Sequence, residues 1–446
     1  MRNANITLKQ AALWCGGTVA PEYEQRCFSG ANFDTRRLQP GELFVAIIGA
    51  RDGHDYAKQA MELGAAAVLA SKPCDAPAIY VENTLTAMQA IAKGYRETLT
   101  ARCVGITGSV GKTTTKEMIA AVLGTTLRTE KTAENFNNGM GLPVTVLGID
   151  RDCEAMVLEM GMNHFGEISL LTAIAQPEVA VITNVGTMHI ENLGSRAGIL
   201  RAKLEILEGL RPGGLAVLNG DDDLLSQVRP DCRTVFFGFG ENCQVRAQEV
   251  CATEDGLRFT AIVHGASFPV ELPVTGEHHV LDALAALAVG AELGIENAAM
   301  ADGLKNFRNT GMRQKIWSRG GVTVIEDCYN AGPESMAAAL KVLGSRAGRR
   351  IAVLGGMLEL GSYAPQAHYS VGVAAAENAE MLFCYGDCTE NYVCGATAAG
   401  MKYAQKFESH EALAASLRER LRPGDVLLVK GSRGMRMERV LQLLFP

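Results

Sequence analysis

Short apolar runs closed by glycine or polar residues alternate along this chain with longer stretches of helical spacing. Residues 5–17 (NITLKQAALWCGG) predict a helix capped by threonine and stopped at a glycine pair. ELFVAIIG (42–49) predicts a strand, DYAKQAMELGA the helix after it, and AAVLAS and AIYVEN two further strands. RCVGITGS then runs into a glycine loop, with TTKEMIAAVLG as its helix. AMVLEMG (155–161), VAVITNVG (179–186) and GGLAVLNGDDD (213–223) repeat the strand-then-polar form. A third series begins near Gly311–Arg313, with VTVIEDCYN, RIAVLGGM, MLFCYG and DVLLVKGSR separated by alanine-rich helices. Such alternation predicts an α/β chain with mostly parallel sheets and ligands at the carboxyl ends of the strands. Residues 235–275 differ, because GLRFTAIVHG and ASFPVELPV predict β-hairpins beside the main sheet. Three domains are expected, at 1–98, 99–312 and 313–446.

Composition supports this division. The 446 residues are too many for one ordinary core. With 48% hydrophobic and 20% charged residues the chain is globular, not disordered. A formal net charge of −7 argues against a protein that wraps nucleic acid. The 12 cysteines include no CxxC pair and no zinc pattern, which predicts reduced thiols in a cytoplasmic protein. MRNANITLKQ lacks an apolar signal segment. The most apolar helical stretch, VLDALAALAVGAELGI (280–295), carries Asp282 and Glu292 and is shorter than a membrane span. It reads as a buried helix of a protein without a membrane span, expected to be a monomer.

The first candidate chemistry lies at GITGSVGKTTTKE (105–117). The strict phosphate-loop pattern GxxxxGK[ST] fails here by one residue, since Ile106 stands where its first glycine would fall. What remains is TGxxGKT, with Gly108, Ser109, Val110, Gly111, Lys112, Thr113 and Thr114 in the loop and its helix start. Glycines let backbone N–H groups turn inward, and the helix N-terminus favours an anion. Lys112 supplies a point charge for the β- and γ-phosphates, and Thr113 a hydroxyl for Mg²⁺. This makes the middle unit a P-loop ATPase-type domain, and the doubly wound pattern of the third predicts a Rossmann-like one. Glu159 ends a strand of the same sheet, where a Walker-type carboxylate would reach the metal.

The TGxxGKTT form resembles the Mur ligase superfamily, the ATP-dependent enzymes that add amino acids to the peptidoglycan precursor. The likeness extends to EKTAENFNNGMGLP (130–143), VLEMGMNHFGEI (157–168) and ITNVGTMHIENLGSRAGILRAKLEI (182–206). It continues in GMRQ (311–314), EDCYNAGPESM (326–336) and VLLVKGSRGMRMERV (426–440). The wording at 327–333 resembles that of the branch that adds D-alanyl-D-alanine.

The resemblance implies an ATP-dependent amide ligase acting on UDP-N-acetylmuramoyl-tripeptide and D-alanyl-D-alanine through an acyl phosphate. Lys112, Glu159, His189 and Lys203 become its catalytic set. It implies two Mg²⁺ sites drawing on Thr113, Glu159, His189 and a Lys203 carbamoylated by CO₂, because a charged ammonium has no lone pair for a metal. Thr132, Asn135 and Asn138 would hold the uridylated substrate near the γ-phosphate, although asparagines in such a loop are also ordinary turn residues. Asp34, Thr35, Arg36 and Gly49, in NFDTRRLQPGELFVAIIGARDGHDY (32–56), would bind its UDP end, with His54 a weaker candidate. Asp327, Tyr329 and Asn330 would flank the nucleotide. Arg313, at the join of the second and third units, would reach the ATP phosphates when those domains close. Lys430, Ser432 and Arg433 read as a strand-end cluster suited to the dipeptide carboxylate.

Two segments depart from the family wording. HHVLDALAA places His279 and Asp282 where asparagines are expected, so adenine contacts there do not carry over. GGMLELG has Gly356 in place of a carboxylate, while His368 still matches a histidine that follows. A sibling ligase for another amino acid or folate is the alternative on the same scaffold. A P-loop nucleotide switch is the alternative from another class, and it needs fewer metal ligands.

Overall fold

The computed structural model describes residues 4–253, 256–308 and 313–446. Three large sheets carry the chain, beside a two-stranded pair of Ile6–Thr7 with Cys27–Phe28. The first has five strands, of which Ala31–Asn32, Leu43–Val45, Ala67–Ala70 and Ala78–Tyr80 run parallel and Thr18–Val19 pairs antiparallel at one edge. The helix Leu8–Cys15 starts at a capping box between Thr7 and Gln10 and stops at Gly16, whose φ of +66° is left-handed.

The second sheet has nine strands, with Arg102–Thr107 held between Ala155–Glu159 and Val179–Ile182, all parallel. Buried on both faces, these strands read as continuous apolar runs. The hairpin strands expected beside this sheet instead extend it. Val245–Ala252, Leu257–Val263 and Ala266–Leu272 form an antiparallel meander at its edge. Their alternation leaves one face on the core, which an added edge needs and a separate hairpin does not.

The phosphate-loop helix Lys112–Leu123 packs between the helices His278–Glu292 and Asn297–Lys305. Two glycines set that closeness. A Cβ at Gly290 would lie 2.8 Å from Val122 Cγ1, and one at Gly303 would lie 2.7 Å from the Ala121 carbonyl oxygen. The expected helix over 280–295 is observed at His278–Glu292 and is buried from Ala283 to Gly290, which accounts for its apolar run.

The third sheet has six strands. Val322–Asp327, Asp425–Lys430, Arg349–Gly355, Met381–Tyr385 and Ala404–Phe407 are parallel, and Lys315–Arg319 adds an antiparallel edge. In the expected GMRQ segment, Gly311 and Met312 lie outside the described residues.

One apolar core runs through the first and second units. Arg96 crosses between them, fully buried, donating to the Ala175 carbonyl at 2.7 Å and pairing with Glu178 at 3.3 Å. All twelve cysteines are free thiols. Among the described residues no helix is long and apolar enough to cross a membrane.

Candidate active site

The carboxyl end of Arg102–Thr107 turns directly into the loop 108–111. Gly108 has a φ of +156°, and a Cβ there would fall 1.9 Å from Thr183 Oγ1. Gly111 has a φ of +84°, with a would-be Cβ 2.7 Å from Asp282 Oδ1. Only glycine meets both demands. The neighbouring strand end braces the loop from outside. Thr183 Oγ1 and Asn184 Nδ2 both donate to the Val110 carbonyl, at 2.6 and 3.0 Å, and Val110 N donates to Asn184 Oδ1. Gly186 N donates to Ser109 Oγ at 2.9 Å.

Lys112 Nζ lies across the loop, donating to the carbonyls of Gly108 (2.7 Å) and Ser109 (3.3 Å). Burial lowers its pKa, Glu159 opposes that shift, and Arg313 adds to it. Thr113 Oγ1 donates to Glu159 Oε2 at 2.7 Å.

Glu159 is 2% exposed and tightly held. Its Oε1 accepts from Asn137 Nδ2 at 2.9 Å, and its backbone N–H donates to Thr132 Oγ1 at 2.9 Å. Lys116 Nζ donates to the Thr132 carbonyl at 2.7 Å and lies 3.9 Å from Glu159 Oε2. Thr132 is thus buried and aims its hydroxyl at the Glu159 backbone. Asn138 Oδ1 accepts from the N–H groups of Met140 and Gly141, which opens the helix Gly141–Leu147. Asn135 is exposed. Asn137 was not singled out in the sequence, yet it touches the buried carboxylate. Its only signal there was its place in the same asparagine run.

The Thr113 hydroxyl and Glu159 carboxylate are two hard oxygen donors side by side, which fits Mg²⁺. That ion takes one or two protein oxygens and completes its shell with water and phosphate. No group of three His, Cys, Asp or Glu side chains able to hold a metal occurs among the described residues.

His189 has a left-handed φ of +63° and precedes the short helix Ile190–Leu193. Its Nδ1 lies 2.5 Å from Glu359 Oε2, close in distance but outside hydrogen-bond alignment. This contact holds the Glu359 carboxyl below its ordinary value, against the effect of burial. Thr187 N and Oγ1 both donate to Glu334 Oε1, at 2.8 and 2.9 Å. The third unit is therefore seated on the 186–189 loop through two glutamates that the sequence did not single out.

Lys203, on the helix Arg196–Leu204, is 2% exposed. Among the described residues its ammonium has no hydrogen bond or ion pair. Burial, then Lys112, pushes its pKa well below the ordinary lysine value, and Asp222 opposes this. Burial and Lys112 thus both disfavour the charged ammonium.

Across the cleft, Lys430 Nζ donates to Asp327 Oδ2 at 2.6 Å and to the Asn330 carbonyl at 3.0 Å. Ser432 Oγ donates to the Ala331 carbonyl and accepts from Leu358 N. Arg433 pairs with Glu438 at 2.8 Å on the surface. The expected cluster of these three is thereby split, with Lys430 turned to the nucleotide candidates by the Asp327 carboxylate. The Arg313 guanidinium lies 4.1 Å from the Tyr329 ring centroid, a cation–π contact. Loop, Glu159, His189, Arg313, Asp327, Tyr329, Asn330 and Lys430 all line one cleft of ≈ 1080 Å³.

The first-unit candidates stand outside that lining. Asp34 accepts from Arg36 Nε at 2.9 Å and Nη2 at 2.6 Å, which lowers its carboxyl to about 2. Thr35 Oγ1 donates to Gln59 at 3.5 Å, and Gly49 is exposed. Arg37 reaches Glu134 of the asparagine loop at 3.0 Å. His54 takes a structural part, with Nε2 accepting from Ser71 N at 2.9 Å and Nδ1 on Asp52 at 2.6 Å.

The departing GGMLELG segment and the histidine after it also have partners. His368 is buried, donates from Nδ1 to the Ala364 carbonyl and accepts at Nε2 from Met357 N. Burial holds its imidazole below the ordinary pKa, as that acceptor role requires. At Gly356 a Cβ would lie 2.9 Å from the Asp387 carbonyl oxygen, so this chain packs its backbone where a side chain would stand.

Residues 106–290 match the model of the Mur ligase middle domain, and residues 312–433 match that of the Mur ligase, glutamate ligase domain. The chain is 41% identical, over 98% of its length and 97% of the relative's, to the UDP-N-acetylmuramoyl-tripeptide–D-alanyl-D-alanine ligase of Bacillus subtilis. Its structure is similar to a MurF crystal structure from Acinetobacter baumannii, with TM-score 0.91, 30% identity and coverage of 100% and 99% of the two chains. It is also similar to MurF ligase from Thermotoga maritima in complex with ADP, with TM-score 0.83, 30% identity and coverage of 93% and 96%.

Proposed function

The chain belongs to the Mur ligase family, and from that premise we propose that its cleft joins D-alanyl-D-alanine to UDP-N-acetylmuramoyl-tripeptide at the expense of ATP. One observation carries the reading. The phosphate loop, the buried Glu159 and the nucleotide candidates of the third unit face one another across a single cleft.

The chemistry begins with a problem of charge. A substrate carboxylate must attack the γ-phosphate of a polyanion, and positive groups have to make that approach favourable. Lys112 and Arg313, which both line the cleft, would be the cations for it. The carboxylate oxygen bonds to the γ-phosphorus as the bond to the ADP oxygen breaks, giving an acyl phosphate. The dipeptide amine then attacks the acyl carbon, phosphate leaves, and the nitrogen loses a proton. Asp327, Tyr329 and Asn330 would hold the nucleoside, with Lys430 orienting Asp327. Asp34, Thr35, Arg36 and Gly49 would take the UDP end, and Thr132, Asn135 and Asn138 the segment between. Ser432 and Arg433 stay candidates for the dipeptide side.

Mg²⁺, held by Thr113, Glu159, His189 and a carbamoylated Lys203, would supply neutralising charge on the phosphates. The neutral amine of Lys203 is the form that reacts with CO₂. Its nitrogen bonds to the carbon, one proton leaves to water, and an anionic oxygen pair replaces the buried amine. His189 would exchange its Glu359 contact for that role. We place the enzyme in the cytoplasm as a monomer, where its soluble nucleotide substrates are available.

Phosphate release with the UDP-tripeptide tests the assignment. It should require D-Ala-D-Ala and stay near background with D-Ala, L-Ala or glutamate. Equal turnover with glutamate, or with no amine at all, would sink it.

A further inference from the structure

The helix His278–Glu292 carries two polar side chains into an otherwise apolar packing face, both buried and both on the cleft. Asp282 reaches the phosphate-loop helix, where its Oδ1 accepts from Thr115 Oγ1 at 2.8 Å. The same oxygen sits against Gly111. Its Oδ2 lies 3.1 Å from His279 Nδ1, and His279 Nε2 lies 2.7 Å from Gln314 Oε1. Gln314 directly follows Arg313 and has a left-handed φ of +47°, a conformation that needs outside support in a residue with a side chain. Three contacts thus run unbroken from the join of the second and third units to the first turn of the phosphate-loop helix. Breaking any one leaves a buried polar group unpaired, which folded proteins avoid.

We propose that His279 and Asp282 are positioning residues of the ligase reaction. Asp282 fixes the loop helix through Thr115. His279 ties the Gln314 side chain to Asp282, so Arg313 meets the phosphates in register with Lys112. The carboxylate suits this task because it offers one acceptor oxygen to each link. With Asp282 the Nδ1–H donates to the carboxylate and Nε2 accepts from the Gln314 amide turned to present its NH2, whereas an asparagine keeps both links with Nδ1 accepting from its amide and Nε2–H donating to Gln314 Oε1.

The proposal rests on the ligase reading, and a double-mutant cycle separates the two. kcat and the KM for ATP are measured by D-Ala-D-Ala-dependent phosphate release for wild type, His279→Ala, Thr115→Val and the double variant, with melting temperatures alongside. Each single substitution should lower kcat about tenfold, and the double should be no worse than the poorer single, since both cut one chain. Asp282→Asn should stay within about threefold of wild type. His279→Gln replaces His279→Ala if the alanine variant melts early. Single losses that multiply in the double, or singles within about twofold of wild type in both parameters, would overturn the proposal. If wild type itself shows no dipeptide-dependent phosphate release, it is the ligase reading that falls.

Discussion

Replacing Lys203 with methionine should cost roughly 10²–10³-fold in kcat while leaving the fold intact. The methylene stem packs in a buried position that methionine can fill. The amine itself makes no hydrogen bond or ion pair among the described residues, so its removal breaks no link among them. Burial and Lys112 both hold it below the ordinary lysine pKa, which keeps the nucleophilic neutral form available to CO₂. Lys203→Ala should lose as much activity but leave space where the carbamate would sit. Formate or acetate should then restore part of the rate in the alanine variant and none in the methionine variant. Full activity in either variant without additives would remove carbamoylation from the account.

Lys112→Met should be the other large loss, also roughly 10²–10³-fold in kcat, with a raised KM for ATP. The loop should keep its shape, because Thr183, Asn184 and Gly186 brace it independently of the lysine. Lys112→Arg should not restore the rate. A planar guanidinium cannot replace a compact ammonium packed against the Gly108 and Ser109 carbonyls. A methionine variant within about tenfold of wild type would mean that the loop grips phosphate without its cation.

Much of this was legible in the chain, for physical reasons. Parallel strands buried on both faces must be continuously apolar, so Arg102–Thr107, Ala155–Glu159, Val179–Ile182 and Asp425–Lys430 announced themselves. The polar ends of Ala155–Glu159 and Val322–Asp327 marked Glu159 and Asp327. The short edge strands Thr129–Lys131 and Ala404–Phe407 did not, since an edge needs no apolar run and TEK has none.

Partners across units were also hidden. Nothing near Glu334 or Glu359 in sequence says that each meets the 186–189 loop. Lys430 looked like a companion of Arg433 by proximity, but the Asp327 carboxylate on the adjacent parallel strand claims it. His279 and Asp282 read as departures from a pattern, and the fold gives them a different neighbour, the phosphate-loop helix. Its glycine-rich loop is compatible with motors, switches and kinases. The choice of ligase comes from what surrounds it.

The central claim is that the phosphate held by this loop passes to a substrate carboxylate before the amide forms. UDP-tripeptide labelled with heavy oxygen in its terminal carboxylate tests it directly, by mass analysis of the phosphate released with D-Ala-D-Ala present. Transfer through an acyl phosphate predicts one heavy oxygen in each phosphate and one retained in the amide. Unlabelled phosphate, formed at the same rate as the amide, would contradict it.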